Sequence, residues 1–326
     1  MLGGFHDATN RRPCGRRSAL LALKCPSTKR PRAELIHVFG GRRVHFLQQG
    51  LDIMMWLLFI GVITLLGALL AVGAVSLNQR RLRQRVARET RQLLEAPGSA
   101  EPWLAPLELP PPVARYRQLA VFDRAPVRTL NLRHAGTFCT SPSAKPAQIR
   151  GEQVFTADPP GFLWSARIRW FPGVWLDARD MALAGKGSMR VLLDATIAVV
   201  NASGPKLDQG SALRLLAEMV WYPTALFDSR YVTWSAIDER HARATLHFGE
   251  QQVSGIFEFG ADGLPASVSA QRFMDQRGLR PWGGTYLDFR AVSGMLVPFE
   301  ASVTWQLDSG PFTYAHWLVE SMVYAD

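Results

Sequence analysis

"LLAEMVWYPTALF", residues Leu215 to Phe227, decides how the rest of the chain is read. Ala212, Leu215, Leu216 and Met219 recur at helical spacing and form one apolar stripe. Leu213, Ala217 and Val220 form a second stripe beside it. Only Ser211, Arg214 and Glu218 make a narrow polar edge. A surface helix shows a single apolar stripe, whereas a helix that is apolar nearly all round must be covered on most sides. Asp208 is the expected N-cap, and Pro223 stops the helix after about Val220, leaving Trp221 and Tyr222 at its end.

What surrounds this helix alternates with a period of two. In "GFLWSARIRW", Phe162, Trp164, Ala166, Ile168 and Trp170 share one face, and Leu163, Ser165, Arg167 and Arg169 share the other. "GKGSMRVLLDATIAVV" (185–200) reads as one alternating strand. The same period fits Arg230–Asp238, Ala242–Phe248, Gln252–Phe259, Pro265–Met274, Val297–Leu307 and Phe312–Tyr324. "DERHA", "FGEQQ", "GADGLP", "DQRGLRPWGG" and "LDSGP" read as the turns between them. One apolar and one polar face per strand means antiparallel strands with one side on a core. About ten such strands make a meander large enough to curl. The expected fold class is therefore α+β, mainly antiparallel: one large curled sheet, a half-barrel, with the helix inserted on its concave face.

Before the sheet lies "IMMWLLFIGVITLLGALLAVGAVSL" (53–77), 25 residues without a charge. About 20 apolar residues suffice to cross a bilayer, so this run reads as a transmembrane helix with the lipid bilayer as its partner. The division that follows is 1–53, a disordered basic N-terminus or gene-model extension; 54–78, the transmembrane helix; 79–112, a basic stem and Pro-rich linker; and 113–326, a single β-rich domain. Met54 and Met55 are alternative starts that would put the apolar run at the N-terminus, as in a signal anchor. The cluster "RRLRQRVARETR" (Arg80–Arg91) follows at once: with a start at Met54 the positive-inside rule puts the domain on the cytoplasmic side of a cell membrane, whereas with the long N-terminus both flanks are basic and the rule is nearly silent. The stem is expected either to lie along anionic headgroups or to be an ordinary solvated helix. Six prolines between Ala96 and Tyr116 make a stiff entry loop, ending in a short helix near Val113–Leu119.

The formal charge of +10 suggests nucleic acid, but its distribution does not. Residues 1–53 carry +7, residues 80–100 carry +4, and residues 101–326 carry −1. The folded part is neutral and shows no nucleic-acid footprint. Of Cys14, Cys25 and Cys139 only the last lies in the domain, so no disulfide forms within it and no zinc spacing exists.

The residues "LPPPVARY", "LRHAGTF", "FTADPPGFLWSARIR", "ARDMALAGKGSMRVLL", "GPKLDQGSALRLLAEMVWYPTAL", "WSAIDERHARATL", "ADGLPASVSAQRF" and "PWGGTYLDF" resemble a bacterial family of unknown function. The resemblance covers about residues 109–325 and implies one N-terminal membrane helix, one β-rich domain and no assigned activity. The strand–helix–strand plan is also similar to the lipoprotein-carrier (LolA/LolB-like) fold, whose curved sheet takes up acyl chains. That likeness is one of fold, and fold does not give function.

No GxSxG, HExxH, P-loop or GxGxxG motif is present, and no cofactor or metal is expected. His134, His241, His247 and His316 are scattered and read as solvated or core histidines. Arg179 and Asp180 lie on the strand after "FPGVW", Glu218 edges the helix, and Arg272 sits within a strand. Each reads either as an ordinary salt bridge or as part of a ligand site, and a buried one must be paired in both cases. Trp221, Tyr222 and Trp282 lie by proline at segment ends, where a pocket mouth would be. The expected site is thus Trp221, Tyr222, Trp282, Glu218, Arg179, Asp180 and Arg272, binding a lipid or other apolar molecule. Two alternatives stay open: an enzyme acting on a lipid-like substrate with an Arg/Asp/Glu pocket, and a structural or regulatory domain whose sheet is solid core.

Overall fold

The structure is a computed structural model that describes residues 37–122, 124–274 and 278–326. It divides into two units, 1–67 and 68–326, and helix α1 (His37–Leu94) runs through the boundary. The expectation for residues 1–36 lies outside the described residues. From residue 37 the chain is helical rather than irregular, because no proline interrupts "HVFGGRRVHFLQQGLDI". Among the described residues one helix is long and apolar enough to cross a membrane, and the residues of its apolar run are exposed, Met54 by 51 % and Leu70 by 74 %.

In the second unit a single sheet holds 13 antiparallel strands, three more than the turn signals suggest. They are β1 (Thr129–Phe138), β2 (Ala147–Ala157), β3 (Pro160–Phe171), β4 (Val174–Leu183), β5 (Lys186–Leu193), β6 (Ile197–Ser203), β7 (Val232–Ala236), β8 (His241–Phe248), β9 (Gln251–Phe259), β10 (Pro265–Phe273), β11 (Leu279–Val292), β12 (Met295–Leu307) and β13 (Gly310–Ala325). Their spatial order is β6-β5-β4-β3-β2-β1-β13-β12-β11-β10-β9-β8-β7. The chain starts in the middle, meanders out to one edge, crosses, and meanders back from the other edge until β13 pairs β1.

The crossing is made by helix α3 (Pro205–Glu218), then by 3-10 turns at Met219–Trp221 and Pro223–Phe227. A helix of 14 residues spans only about 21 Å, so the two edges cannot stay far apart and the sheet must curl around the element that joins them. α3 accordingly packs against β4, β5 and β6 from one half and β8, β9 and β10 from the other. Where the β4–β5 turn meets the end of β8, a Cβ on Gly185 would come within 2.7 Å of the Phe248 carbonyl oxygen. The expected half-barrel with its inner helix is the observed architecture.

Asp208 is not the N-cap. Gly204 holds that position with no side-chain cap, and Pro205 opens the helix, where its missing N–H costs nothing. Asp208 is buried one turn in and accepts the Gly187 N–H at 2.7 Å, which pins α3 to β5. The far end is pinned by three strands: Tyr286 donates to the Ala217 carbonyl at 2.8 Å, Tyr324 to the Trp221 carbonyl at 2.7 Å, and Trp221 Nε1 to the Pro298 carbonyl at 3.1 Å. Even the polar edge is covered: Ser211 is 1 % exposed, and the Arg214 and Glu218 side chains 14 % and 12 %.

Helix α2 (Pro111–Ala120) stoppers one end of the trough with Val113, Tyr116 and Ala120 fully buried. Tyr116 packs on Phe227 and Phe259 with ring centres 5.7 and 5.9 Å apart, and Phe155 packs on Tyr222 at 5.0 Å. That end is solid aromatic core. On the opposite face of the sheet, Leu93 of the stem is buried with Leu163 and Met181. Glu89 pairs with Arg179 at 2.7 Å, and Asn78 donates to Thr196 Oγ1 at 3.3 Å. The stem therefore packs on protein along one side, while Arg80, Arg81, Arg83, Arg85, Arg88 and Arg91 stay exposed.

Candidate functional site

Down the inner face of β3, Phe162 belongs to the solid core, but Trp164, Ile168 and Trp170 border open space. The space is a cavity of about 560 Å³ enclosed between β3–β6, α3 and β10–β13. Small-molecule sites typically fall in the range of roughly 300–1,000 Å³. Its lining is almost wholly apolar: Leu176, Val191, Leu193, Val200, Val303 and Trp317 are typical. Thr140, Trp170 and Val199 are lining residues that are also exposed, which marks the mouth between the β1–β2 loop, the end of β3 and the edge strand β6.

Four ionisable side chains other than tyrosine reach this apolar space: Asp180, Arg214, Glu218 and Arg272. Three of them form one cluster. Arg214 donates through Nη1 to Asp180 at 2.8 Å, through Nε to Glu218 at 2.8 Å and through Nη2 to the Gln153 amide oxygen at 3.1 Å. Gln153 returns a bond to Glu218 at 2.7 Å. The guanidinium lies over Phe162 and Trp164, 4.8 and 4.9 Å from the ring centres. Burial alone would lower the Arg214 pKa, but Glu218 and Asp180 outweigh it and hold the cation charged. Desolvation raises the Glu218 pKa even against the pull of Arg214. One oxygen of Asp180 is buried without a partner.

His134 closes the wall behind the cluster. Its Nε2 accepts the Trp164 indole N–H at 2.8 Å, and its ring packs edge-on to Trp317 at 4.6 Å. Burial, reinforced by Arg214, lowers its pKa to about 4, so the ring is neutral near pH 7 with its proton on Nδ1. It is a core histidine. His241 pairs with Asp238 and His316 with Glu300, both at 2.8 Å and away from the cavity.

Of the seven residues expected at the site, five line the cavity: Asp180, Glu218, Trp221, Arg272 and Trp282. Arg179 does not. As the strand neighbour of Asp180 it faces the opposite side, where it meets Glu89 and the Ser188 hydroxyl in a smaller polar groove with Arg85 and Arg190. Tyr222 does not either, since the 3-10 turn rotates it into the aromatic core against Phe155. Sequence reasoning missed Tyr286, Tyr314 and Trp317, and took Arg214 only for part of the helix's polar edge. A cavity lies beside Glu218 and Trp221, so the sheet encloses open space as well as packed core. Among the described residues no group of His, Cys, Asp and Glu could hold a metal ion.

A family model described as "Family of unknown function (DUF6544)" matches residues 103–317. No curated protein matches the chain. Among solved structures, a LolA superfamily protein from Nitrosomonas europaea aligns at 11 % identity and TM-score 0.36, over 66 % of this chain and 92 % of that one. A DUF1329 family protein from Desulfovibrio piger aligns at 11 % identity and TM-score 0.39, over 65 % and 90 %.

Proposed function

The chain belongs to that family of unknown function, DUF6544, and we propose that its domain is a membrane-anchored binding module for a lipid or other apolar molecule. The observation that carries this reading is the cavity of about 560 Å³ beside α3. A core closes such voids when it can, because each costs stability. This one sits among apolar side chains, where water gains little and each buried methylene of a guest contributes about 0.8 kcal/mol. Both carboxylates in the wall are held by Arg214, so binding is better supported than acid–base chemistry.

The route runs through the bilayer. The apolar run 53–77 spans it, with Arg80–Arg91 and the domain on the cytoplasmic face. Support for delivery at the surface comes from the mouth. Trp170, Phe171, Ile197 and Val199 are 43 %, 61 %, 60 % and 58 % exposed there. Thr196, next to Ile197, is hydrogen-bonded to Asn78, one residue past the apolar run. An exposed apolar rim at that place is suited to contact headgroups and to pass a guest without crossing water.

Tryptophan fluorescence of the full-length chain in a maltoside detergent tests the binding, with the methyl ester of 9,10-dibromostearate as quencher. Trp164, Trp221, Trp282 and Trp317 line the cavity, so saturable quenching is expected. Quenching that rises only with the ester content of the micelles, together with no lipid in an organic extract of the protein, would end the proposal. For sidedness, protease added to sealed vesicles should cut the domain only where the cytoplasmic face is outward.

A further inference from the structure

The two guanidiniums in the cavity wall are treated differently. Arg214 is fully engaged by Asp180, Glu218 and Gln153. Arg272, near the end of β10, pairs with no carboxylate among the described residues. Its one hydrogen bond among the described residues is a long one, 3.4 Å from Nη1 to the Tyr314 hydroxyl. Its Nε is buried without an acceptor, where the side chain crosses α3 at Gly210. The guanidinium lies over Trp282 at 4.8 Å and near Trp305 at 5.8 Å. Rings against its plane fix the orientation and leave the N–H edge as the reactive side. A guanidinium carries five donors and no acceptor, so most of this edge is unspent.

Tyr314 completes the arrangement. Its oxygen accepts from Arg272 and, at 3.2 Å, from Trp282 Nε1. Its own proton meets no acceptor among the described residues. The residue owes its position to a β-bulge: Val303 faces Ala315 and Thr304 faces Thr313, so Tyr314 is skipped in the β12–β13 register. Bulges of this kind redirect a side chain and recur beside binding sites. Arg272 and Tyr314 both line the apolar cavity, and among the described residues no acceptor takes their remaining N–H and O–H protons.

We infer that Arg272 and Tyr314 form a subsite for a small anionic head, a carboxylate or phosphate, so that the cavity takes an acidic amphiphile rather than a neutral lipid. The inference rests on the binding reading above and names the class of guest. Charge-assisted bonds from a guanidinium are about twice as strong as neutral ones, and they gain where water is excluded. The apolar chain then lies along the apolar part of the lining, which includes Leu176 and Val191.

The test compares 9,10-dibromostearate with its methyl ester on the full-length chain in maltoside, both at the same mole fraction in the micelle and at pH 8. The free acid is expected to bind roughly tenfold or more tightly than the ester. In Arg272→Gln the acid should bind no more tightly than the ester measured on the same variant, and Arg272→Lys should keep part of the difference. If Arg272→Gln loses both probes through misfolding, Tyr314→Phe, which deletes one hydroxyl, carries the test with the same expected direction. Equal affinity for acid and ester in the unaltered chain overturns the subsite but leaves the apolar module standing. Binding of neither probe overturns both. Competition by acetate or inorganic phosphate at equal concentration makes the site one for a free anion and overturns the amphiphile. Competition by a lysophosphatidate that is roughly tenfold or more stronger than by its neutral monoacylglycerol supports the shared anionic chemistry with phosphate as its source.

Discussion

Arg179 and Asp180 are neighbours in β4 and hold opposite faces of the sheet. Asp180 meets Arg214 at 2.8 Å in the cavity wall, and Arg179 meets Glu89 of the stem at 2.7 Å. One dipeptide thus ties the inner helix and the outer stem to the same strand. The two ties differ in kind. Asp180 is 1 % exposed, so Asp180→Ala leaves the Arg214 charge short of a partner and should cost about 3–5 kcal/mol in urea unfolding. Arg179→Ala should cost only about 1–2 kcal/mol, since the partner left behind, Glu89, has a side chain 20 % exposed that water can reach. It should also loosen the stem, so that trypsin at low enzyme ratio cuts within Arg80–Arg91 more readily than in the parent. Equal costs for the two variants would contradict this division of roles.

His134 makes stability depend on acid. Its folded pKa, lowered to about 4 by burial and by Arg214, lies below the ordinary 6.5. An unfolded chain takes up the proton below pH 6.5 while the folded chain resists it until about 4. The stability this histidine contributes is therefore fully present above pH 6.5 and is lost as pH falls toward 4, up to roughly 3 kcal/mol. His134→Phe removes the titrating group and also the acceptor of the Trp164 indole, so it should be less stable at pH 8 yet flatter between pH 6.5 and 4. The measurement is the urea midpoint across that range. A variant with the same slope as the parent would rule His134 out as the cause.

Much of the fold is legible in the sequence because the strand period and the helix period differ. Alternation in "GFLWSARIRW" and all-round apolarity in Leu213–Val220 already require a curled sheet holding a helix. What the period conceals is where a strand ends without a turn residue. Asp194 and Ala195 both adopt positive φ, 45° and 55°, and fold "RVLLDATIAVV" into the β5–β6 hairpin. Neither is the glycine such a turn usually recruits, and the Asp194 carboxylate compensates by accepting the Trp175 N–H at 3.0 Å. The reverse happens in "RGLRPWGG", whose last two glycines, Gly283 and Gly284, read as a turn but lie in β11. A Cβ on Gly283 would come within 2.4 Å of the Val268 carbonyl oxygen, so it is strand packing that demands glycine there. The site was half legible for a similar reason. Parity lets only one of Arg179 and Asp180 face inward, but not which one. Tyr314 is carried by a bulge that alternation cannot announce.

The seat of α3 offers a third prediction. Gly187 lies where the helix touches β5: a Cβ there would come within 2.5 Å of Ser211 Oγ and 3.0 Å of the Leu207 carbonyl oxygen. The Gly187 N–H also donates to Asp208. Gly187→Val should push the helix off the strand and cost roughly 1–3 kcal/mol, with the loss of the Asp208 bond adding to it. The near-ultraviolet circular dichroism of Trp221, held at the helix end, should weaken with it. An unchanged unfolding midpoint would show that α3 is not seated at this glycine.

The last prediction separates solid core from open cavity on one helix. Ala212 and Ala217 are both buried in α3, 0 % and 6 % exposed, but only Ala217 lines the cavity. Ala212→Phe must force a ring into packed core and should cost about 1–3 kcal/mol or more. Ala217→Phe has open volume to enter, so the unfolding midpoint should hold or rise as void is filled, at roughly 24 cal/mol for each Å³ removed. The same ring takes the place of the guest, and quenching by dibromostearate methyl ester should weaken by about tenfold or more. Thermal unfolding and the quenching titration, run on both variants, read the two effects independently. An Ala217→Phe protein that is as destabilised as Ala212→Phe would mean that the space beside Trp221 is not open in solution. One that is stable and still binds would move the guest elsewhere in the molecule.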